Sequence, residues 1–282
     1  MNNTILFILI FFSQILLLSY YLPRKIRQRV KYIFKTFPPA DFPKLYPKPI
    51  EVYKLFLDIF WGINLVILGA GMLILVLLSV KMPNLGPANP ERWEQALVTA
   101  WFYVQFIPIL LLEISSFKYF KSMREANVSS TRKAMLQPRR FFTFISPMWI
   151  GMAGFVYASF VIFIVYMRQF KYPWFGGYLN IVIITVSNLF FSGIALWNIY
   201  GKRLNPHQAN EDRMNQIGII VKQLVIVSIA VTLFAMLTIT LHSLDLRYLQ
   251  GTFMSVYFQL LAVVAFQTIR IANVNFDVYK ED

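Results

Sequence analysis

The sequence predicts an all-α membrane protein, a polytopic bundle of seven transmembrane helices in one domain that covers residues 1–282. Apolar residues make up 57% of the chain and charged residues 14%, a composition typical of membrane domains. Seven apolar stretches are each long enough to cross a hydrocarbon core of about 30 Å. A backbone in lipid must satisfy its own hydrogen bonds, so each stretch is expected to be helical. The predicted spans are 4–22, 52–80, 94–117, 144–167, 174–199, 217–241 and 250–274.

The orientation of the bundle is predicted from the basic residues, which concentrate on alternate loops. The loops 23–50, 118–140 and 201–216 together carry eighteen Lys and Arg residues, and the loops between the other span ends carry five. The positive-inside rule therefore places the N-terminus outside and these three loops and the C-terminus in the cytoplasm. We expect an integral, multi-pass protein of a bacterial plasma (inner) membrane. Because topology explains the net charge of +14, no nucleic-acid partner is expected.

Residues 23–50 form a basic, amphipathic and proline-rich cytoplasmic loop. An apolar stripe at helical spacing indicates a helix over 24–37 that lies in the inner-leaflet headgroups. The alternative is a plain cytoplasmic extension of the first span. The stripe consists of Ile26, Val30, Ile33, Phe34 and Phe37. The cations expected to contact anionic lipid headgroups are Arg24, Lys25, Arg27, Arg29 and Lys31.

The second half of this loop is rich in proline, with five prolines within residues 38–49. That density predicts an extended polyproline II segment, because proline fixes φ and donates no backbone hydrogen bond. We interpret the segment as a rigid lead-in to the second span. Its aromatic and lysine side chains leave open a second interpretation, the docking of a protein partner.

Four ionisable residues inside the predicted spans are candidates for a site, each one or two turns from the cytoplasmic end. Charges in a bilayer are costly and usually face the bundle interior or a watery cavity. Two acids and two bases can form one neutral cluster that closes a cavity or binds a headgroup or an ion. The alternative is that each side chain reaches the interface separately. The four residues are Asp58, Glu113, Lys222 and Arg270.

Side-chain amides recur at mid-span. Interhelical hydrogen bonds from such groups contribute roughly 0.6–2 kcal/mol each, which favours a packing role, with a polar ligand pocket as the alternative. The amides are Gln14, Asn64, Gln105, Asn188, Gln259 and Gln267.

Glycines and prolines inside the spans predict local helix geometry. Paired glycines indicate close helix contacts, and we expect Pro108 and Pro147 to kink their helices. The glycine pairs are Gly69 with Gly71, Gly151 with Gly154, and Gly176 with Gly177.

Chemistry that depends on metals or nucleophiles finds little support in the sequence. The chain has no cysteine and only two histidines, His207 and His242, which the topology puts on opposite sides of the membrane. Thiolate metal sites, iron–sulfur clusters and bis-histidine haem are therefore excluded. Intramembrane Ser/His pairs, glycine-rich nucleotide motifs and Walker loops are also missing from the sequence. We expect no cofactor, no bound metal and no enzyme activity.

The function predicted from these features is non-catalytic: the protein binds a lipid, an ion or a small amphiphile, or moves it through the bundle. The alternative is a membrane scaffold or sensory subunit of a larger complex that uses the basic cytoplasmic loops. Transport requires polar side chains along a continuous path, whereas a scaffold buries them in pairs. The sequence does not say which helices touch, so both functions stay open.

Overall fold

The computed structural model describes residues 3–81, 90–126, 140–201, 205–266 and 274–280. Within these ranges every regular element is helical, and seven helices are long and apolar enough to span a membrane. This confirms the prediction of an all-α bundle with seven spans. The helices are α1 (Asn3–Leu16), α2 (Leu22–Thr36), α3 (Ile50–Lys81), α4 (Pro90–Ala126), α5 (Phe141–Phe144), α6 (Pro147–Met167), α7 (Leu179–Tyr200), α8 (Asn210–Ser243) and α9 (Gln250–Ala265).

The first span is much longer than its apolar stretch. A π-helical turn, Leu17–Tyr21, joins α1 to α2 without a break, so one helix runs from the predicted first span to Thr36. The prediction of a helix over 24–37 is confirmed in its helicity. The prediction of a separate surface helix is wrong, because this segment continues α1, as the alternative of a cytoplasmic extension of the first span proposed. Nothing in the sequence 22–36 breaks helical hydrogen bonding: its one proline, Pro23, lies in the first turn of α2.

Other helix ends also differ from the predicted spans. α4 and α8 extend beyond the predicted spans 94–117 and 217–241. Hydropathy predicts only the part of a helix that lies in lipid, and helical hydrogen bonds continue into the polar residues beyond it. In contrast, α9 ends at Ala265, and residue 274 is not helical. The predicted kink at Pro147 is wrong. This proline begins α6, where its missing N–H costs nothing, and the hydroxyl of Ser146 accepts from Met148 N at 3.4 Å.

The helices pack as two groups that meet where α8 contacts α9. α1, α3, α4 and α9 surround a core that includes Phe11, Ile15 and Val98. α6 and α7 both pack on α8, around a core that includes Phe160 and Ile164. α8 and α9 contact each other and join the groups. The outer faces of α6 and α7 are apolar and exposed, as expected for surfaces that face lipid.

Of the six paired glycines, one lies at a close contact between helices. A Cβ on Gly71 would stand 3.0 Å from Ile15 Cγ2 and 3.0 Å from Trp101 Cζ2. Gly69, Gly151, Gly154 and Gly177 have no described heavy atom within 4 Å of such a Cβ, and Gly176 has only the Asn180 side chain nearby, at 3.4 Å. Gly71 therefore allows α1 and α4 to approach α3, whereas the close helix contacts predicted at the other five glycines are not found among the described residues.

Candidate functional site

Two of the predicted mid-span amides meet in a buried cluster. Gln14 Nε2 donates to Gln105 Oε1 at 3.1 Å, and Gln105 Nε2 donates to Ser19 Oγ at 2.9 Å. Ser255 Oγ donates to Gln14 Oε1 at 2.7 Å. All four residues are at most 1% exposed. These bonds tie α1 and its π-helical turn to α4 and α9, and they satisfy polar groups that are costly to bury alone.

Gln259 extends this cluster along α9. Its amide donates to Ile10 O at 3.2 Å and accepts from Ser13 Oγ at 3.1 Å. The hydrogen-bond partners of Gln14, Gln105 and Gln259 all belong to helices of the bundle, an arrangement typical of interhelical packing.

The remaining mid-span amides lie elsewhere. Asn188 donates to Thr232 Oγ1 at 3.4 Å and accepts from Ser228 Oγ at 2.8 Å, which links α7 to α8. Asn64 is 1% exposed and donates to Phe60 O of its own helix at 2.8 Å. Gln267 lies outside the described residues.

The four ionisable residues of the predicted cluster have different surroundings. Asp58 accepts from Arg27 Nη2 at 2.9 Å. Lys222 lies over the Trp149 ring, 5.3 Å from its centroid. Glu113 is exposed on α4, and Arg270 lies outside the described residues. In the described part of the chain, no ion pair joins any two of Asp58, Glu113 and Lys222.

Arg27 is the partner that the sequence analysis did not assign to Asp58. Its guanidinium also lies over the Trp61 ring, 5.2 Å from the centroid. Because the first helix continues to Thr36 and packs on α3, it places Arg27 next to Asp58. Lys222 of α8 contacts Trp149 instead. Its position in a basic loop, 31 residues from Asp58, gave no signal of this pair.

The other cations of α2 have local contacts. Arg24 donates to the Tyr20 hydroxyl at 3.2 Å, and Lys25 lies over the Tyr21 ring. Arg29 is half-buried and Lys31 is exposed. Their binding to anionic headgroups stays a prediction.

The apolar stripe of α2 forms one wall of an open cavity of about 470 Å³. Ile26, Val30, Ile33 and Phe34 face it from α2. The opposite walls come from α3 and α4, and Leu45, Tyr46, Lys48 and Phe276 border the cavity as well. We call this cavity the basic-end groove, because its lining includes residues of the basic loop 23–50 and of α4 from Lys118 to Ser122. Its volume falls in the range of roughly 300–1,000 Å³ that ligand pockets occupy.

The proline-rich segment closes one side of the groove and is not extended. Phe42 N donates to Pro38 O at 3.0 Å, and Tyr46 N donates to Pro43 O at 3.1 Å. The polyproline II prediction is therefore wrong. Each proline lacks a donor, but the residues between the prolines donate back to proline carbonyls and fold the segment into turns. Phe42 is buried as a result.

Two tyrosine hydroxyls fix that segment against the helices. Tyr46 donates to Phe37 O at 2.7 Å, and Tyr119 of α4 donates to Leu45 O at 2.7 Å. Burial, together with the nearby Tyr53, raises the pKa of the Tyr46 hydroxyl above its usual value. Tyr46 therefore remains protonated at neutral pH and keeps its bond to Phe37.

The C-terminal segment 274–280 packs beside the groove. The Phe276 ring stacks on Phe37, with the centroids 4.0 Å apart. Asn205 Nδ2 donates to the Tyr279 hydroxyl at 2.6 Å, and Asn275 N donates to Asp212 Oδ2 at 2.9 Å. The segment thus connects the groove wall to the start of α8, a link that the sequence analysis missed because it assigned residue 274 to the seventh span.

The polarity of the groove changes along its length. Leu112 and Ser122 of α4 both line it and are ten positions apart, which corresponds to about 15 Å of helix. Since α3 begins at Ile50, its lining residues Phe56 and Leu57 lie deeper than Tyr53. The deep end is therefore apolar, whereas lysine and tyrosine side chains lie at the end toward the basic loops. An amphiphile in a lipid leaflet has the same order of polarity.

Comparisons with family models, curated proteins and solved structures find no match to this chain.

Proposed function

We propose that this protein is a non-catalytic membrane protein that binds a membrane lipid in the basic-end groove. The observation that carries the proposal is the change of polarity along the groove, from Leu112, Phe56 and Leu57 at the deep end to Lys48 and Lys118 at the other end. The part of α4 that lines the groove, from Leu112 to Ser122, is about 15 Å long, which is about half of a hydrocarbon core of about 30 Å. A lipid placed with its chain at the deep end has its headgroup at the basic end.

Binding is favoured over movement through the bundle by the surroundings of the mid-span amides. Gln14 and Gln105 bond to each other, and Gln259 bonds to Ser13 and Ile10. None of these three amides lines the groove. A transport path requires polar groups that release their protein partners and bind the transported species. Gln14, Gln105 and Gln259 instead form hydrogen bonds between helices.

We propose that the groove opens at the cytoplasmic side of a plasma membrane, with the N-terminus outside. The support is the distribution of basic residues, eighteen on one set of loops and five on the other. Reporter fusions after Pro173 and after Pro206 should report opposite compartments, with the Pro206 fusion in the cytoplasm. The same compartment for both fusions, or a cytoplasmic signal from Pro173 alone, would contradict this orientation.

Filling the groove should displace the lipid. Ser115 lines the groove, and its hydroxyl donates to Leu111 O at 2.7 Å. The phenyl ring of Ser115→Phe would occupy the space of a bound acyl chain. We therefore expect native mass spectrometry to detect about tenfold less co-purified lipid on this variant than on the unmodified protein. A tenfold loss corresponds to about 1.4 kcal/mol of binding free energy.

Ser187→Phe is the matched control. Ser187 of α7 is half-buried, as Ser115 is, and its hydroxyl makes the same kind of bond, to Ile183 O at 2.9 Å. This variant should retain the lipid. Equal retention by the two variants would eliminate the groove as the binding site.

The second candidate function is a membrane scaffold, and the pairwise burial of the mid-span amides favours it as well. A scaffold predicts that a protein subunit co-purifies at fixed stoichiometry and that lipid retention is the same in Ser115→Phe and Ser187→Phe. The same mass spectra therefore distinguish the two functions.

A further inference from the structure

We infer that the basic-end groove selects an anionic phospholipid, and that Lys48 and Lys118 bind its phosphate. This inference rests on the proposed function, because it names the class of lipid that the groove takes. Lys118 contributes to the basic charge of the predicted loop 118–140, and Lys48 lies in the proline-rich segment for which docking of a protein partner was left open.

Both lysines lie at the polar end of the groove and have no ion-pair partner in the described part of the chain. Lys48 precedes α3, and its backbone N–H donates to the Tyr53 hydroxyl at 3.2 Å. Lys118 lies on α4, and both lysines are exposed. Their ammonium groups are therefore free to make charge-assisted hydrogen bonds, which are stronger than bonds between neutral groups.

The remaining polar groups add one more donor at this end. The Tyr53 hydroxyl accepts from Lys48 N, and its own proton has no acceptor among the described residues. By contrast, the hydroxyls of Ser116 and Ser122 donate to Glu113 O and Lys118 O. The available donors are thus two ammonium groups and one phenol, a set that matches the acceptor oxygens of a phosphate.

The charges around the groove favour an anion over a choline headgroup. Among the described residues that line it there is no Asp or Glu. The carboxylate of Asp277, next to Phe276, pairs with Lys280 at 2.7 Å. The rings of Tyr46, Tyr53 and Tyr119 could attract a quaternary ammonium, but two lysine ammonium groups beside them repel it.

The experiment compares two double variants that remove the same charge. Lys48→Gln with Lys118→Gln changes the groove, whereas Lys54→Gln with Lys121→Gln changes exposed lysines that do not line it. Native mass spectrometry in detergent then follows titration with phosphatidylglycerol and, separately, with phosphatidylcholine. The groove variant should bind phosphatidylglycerol at least about tenfold more weakly, and the control should stay within about twofold. Unmodified protein should prefer phosphatidylglycerol to phosphatidylcholine.

Each result that contradicts the inference has a different meaning. An equal loss in both double variants would mean that overall charge attracts the lipid, and would overturn the inference. Equal affinity for both lipids, each abolished by Ser115→Phe, would also overturn it and leave lipid binding in the groove intact. Equal affinity for both lipids with no effect of Ser115→Phe would overturn the proposed function itself. Displacement by inorganic phosphate at the lipid's concentration would overturn the lipid as the source of the phosphate.

Discussion

Gly71→Val should destabilise the protein by roughly 1–3 kcal/mol, the usual cost of adding atoms to a well-packed core. A Cβ on Gly71 would already lie 3.0 Å from both Ile15 Cγ2 and Trp101 Cζ2. The two γ-methyl groups of valine add to this crowding, so α1 or α4 must move away from α3. Ile15 is fully buried, which leaves its side chain little freedom to adjust. Thermal unfolding in one detergent measures the loss.

Gly69→Val is the control for this prediction. Gly69 lies in the same helix, and a Cβ there would have no described heavy atom within 4 Å. Valine at this position is expected to change the unfolding temperature little. Similar losses for the two variants would show that the three helices do not meet at Gly71.

Gln105→Leu should destabilise the protein by roughly 2 kcal/mol, because it leaves buried polar groups without partners. Gln14 Nε2 loses its acceptor, and Ser19 Oγ loses its donor. The same substitution at Gln28, which is exposed on α2, removes no buried bond of this kind and should have a small effect. Equilibrium unfolding in mixed micelles gives the free energies.

A double-mutant cycle between Gln14 and Gln105 separates the hydrogen bond from changes in packing. Gln14→Leu in the Gln105→Leu background should cost less than Gln14→Leu alone, since the stranded amide has been removed. Additive losses would mean that the two side chains do not bond to each other.

The number of long helices could be predicted from the sequence, because the length of each apolar run reports the thickness of lipid that it crosses. Helix ends could not be predicted in the same way. α2 continues to Thr36 and α4 to Ala126, since backbone hydrogen bonds do not depend on hydropathy. The folded segment 38–46 was missed because its turns are fixed by contacts with distant residues such as Tyr119.

The groove was predictable only in part. The stripe formed by Ile26, Val30 and Ile33 indicated a buried face, but period alone does not say whether lipid or protein covers it. The pairing of Arg27 with Asp58 depended on the tertiary contact between α2 and α3. Many basic residues were available to Asp58, so the sequence offered no way to choose among them.

The most direct test of lipid binding in the groove is photolabelling with a phospholipid that carries a diazirine at the end of one acyl chain. In nanodiscs, the label should map to the deep end, on peptides that contain Ile26, Leu57 or Leu112. Ser115→Phe should abolish this labelling and Ser187→Phe should not. Labels spread over exposed faces such as Phe155 and Trp197, unchanged by Ser115→Phe, would contradict the groove as the lipid site.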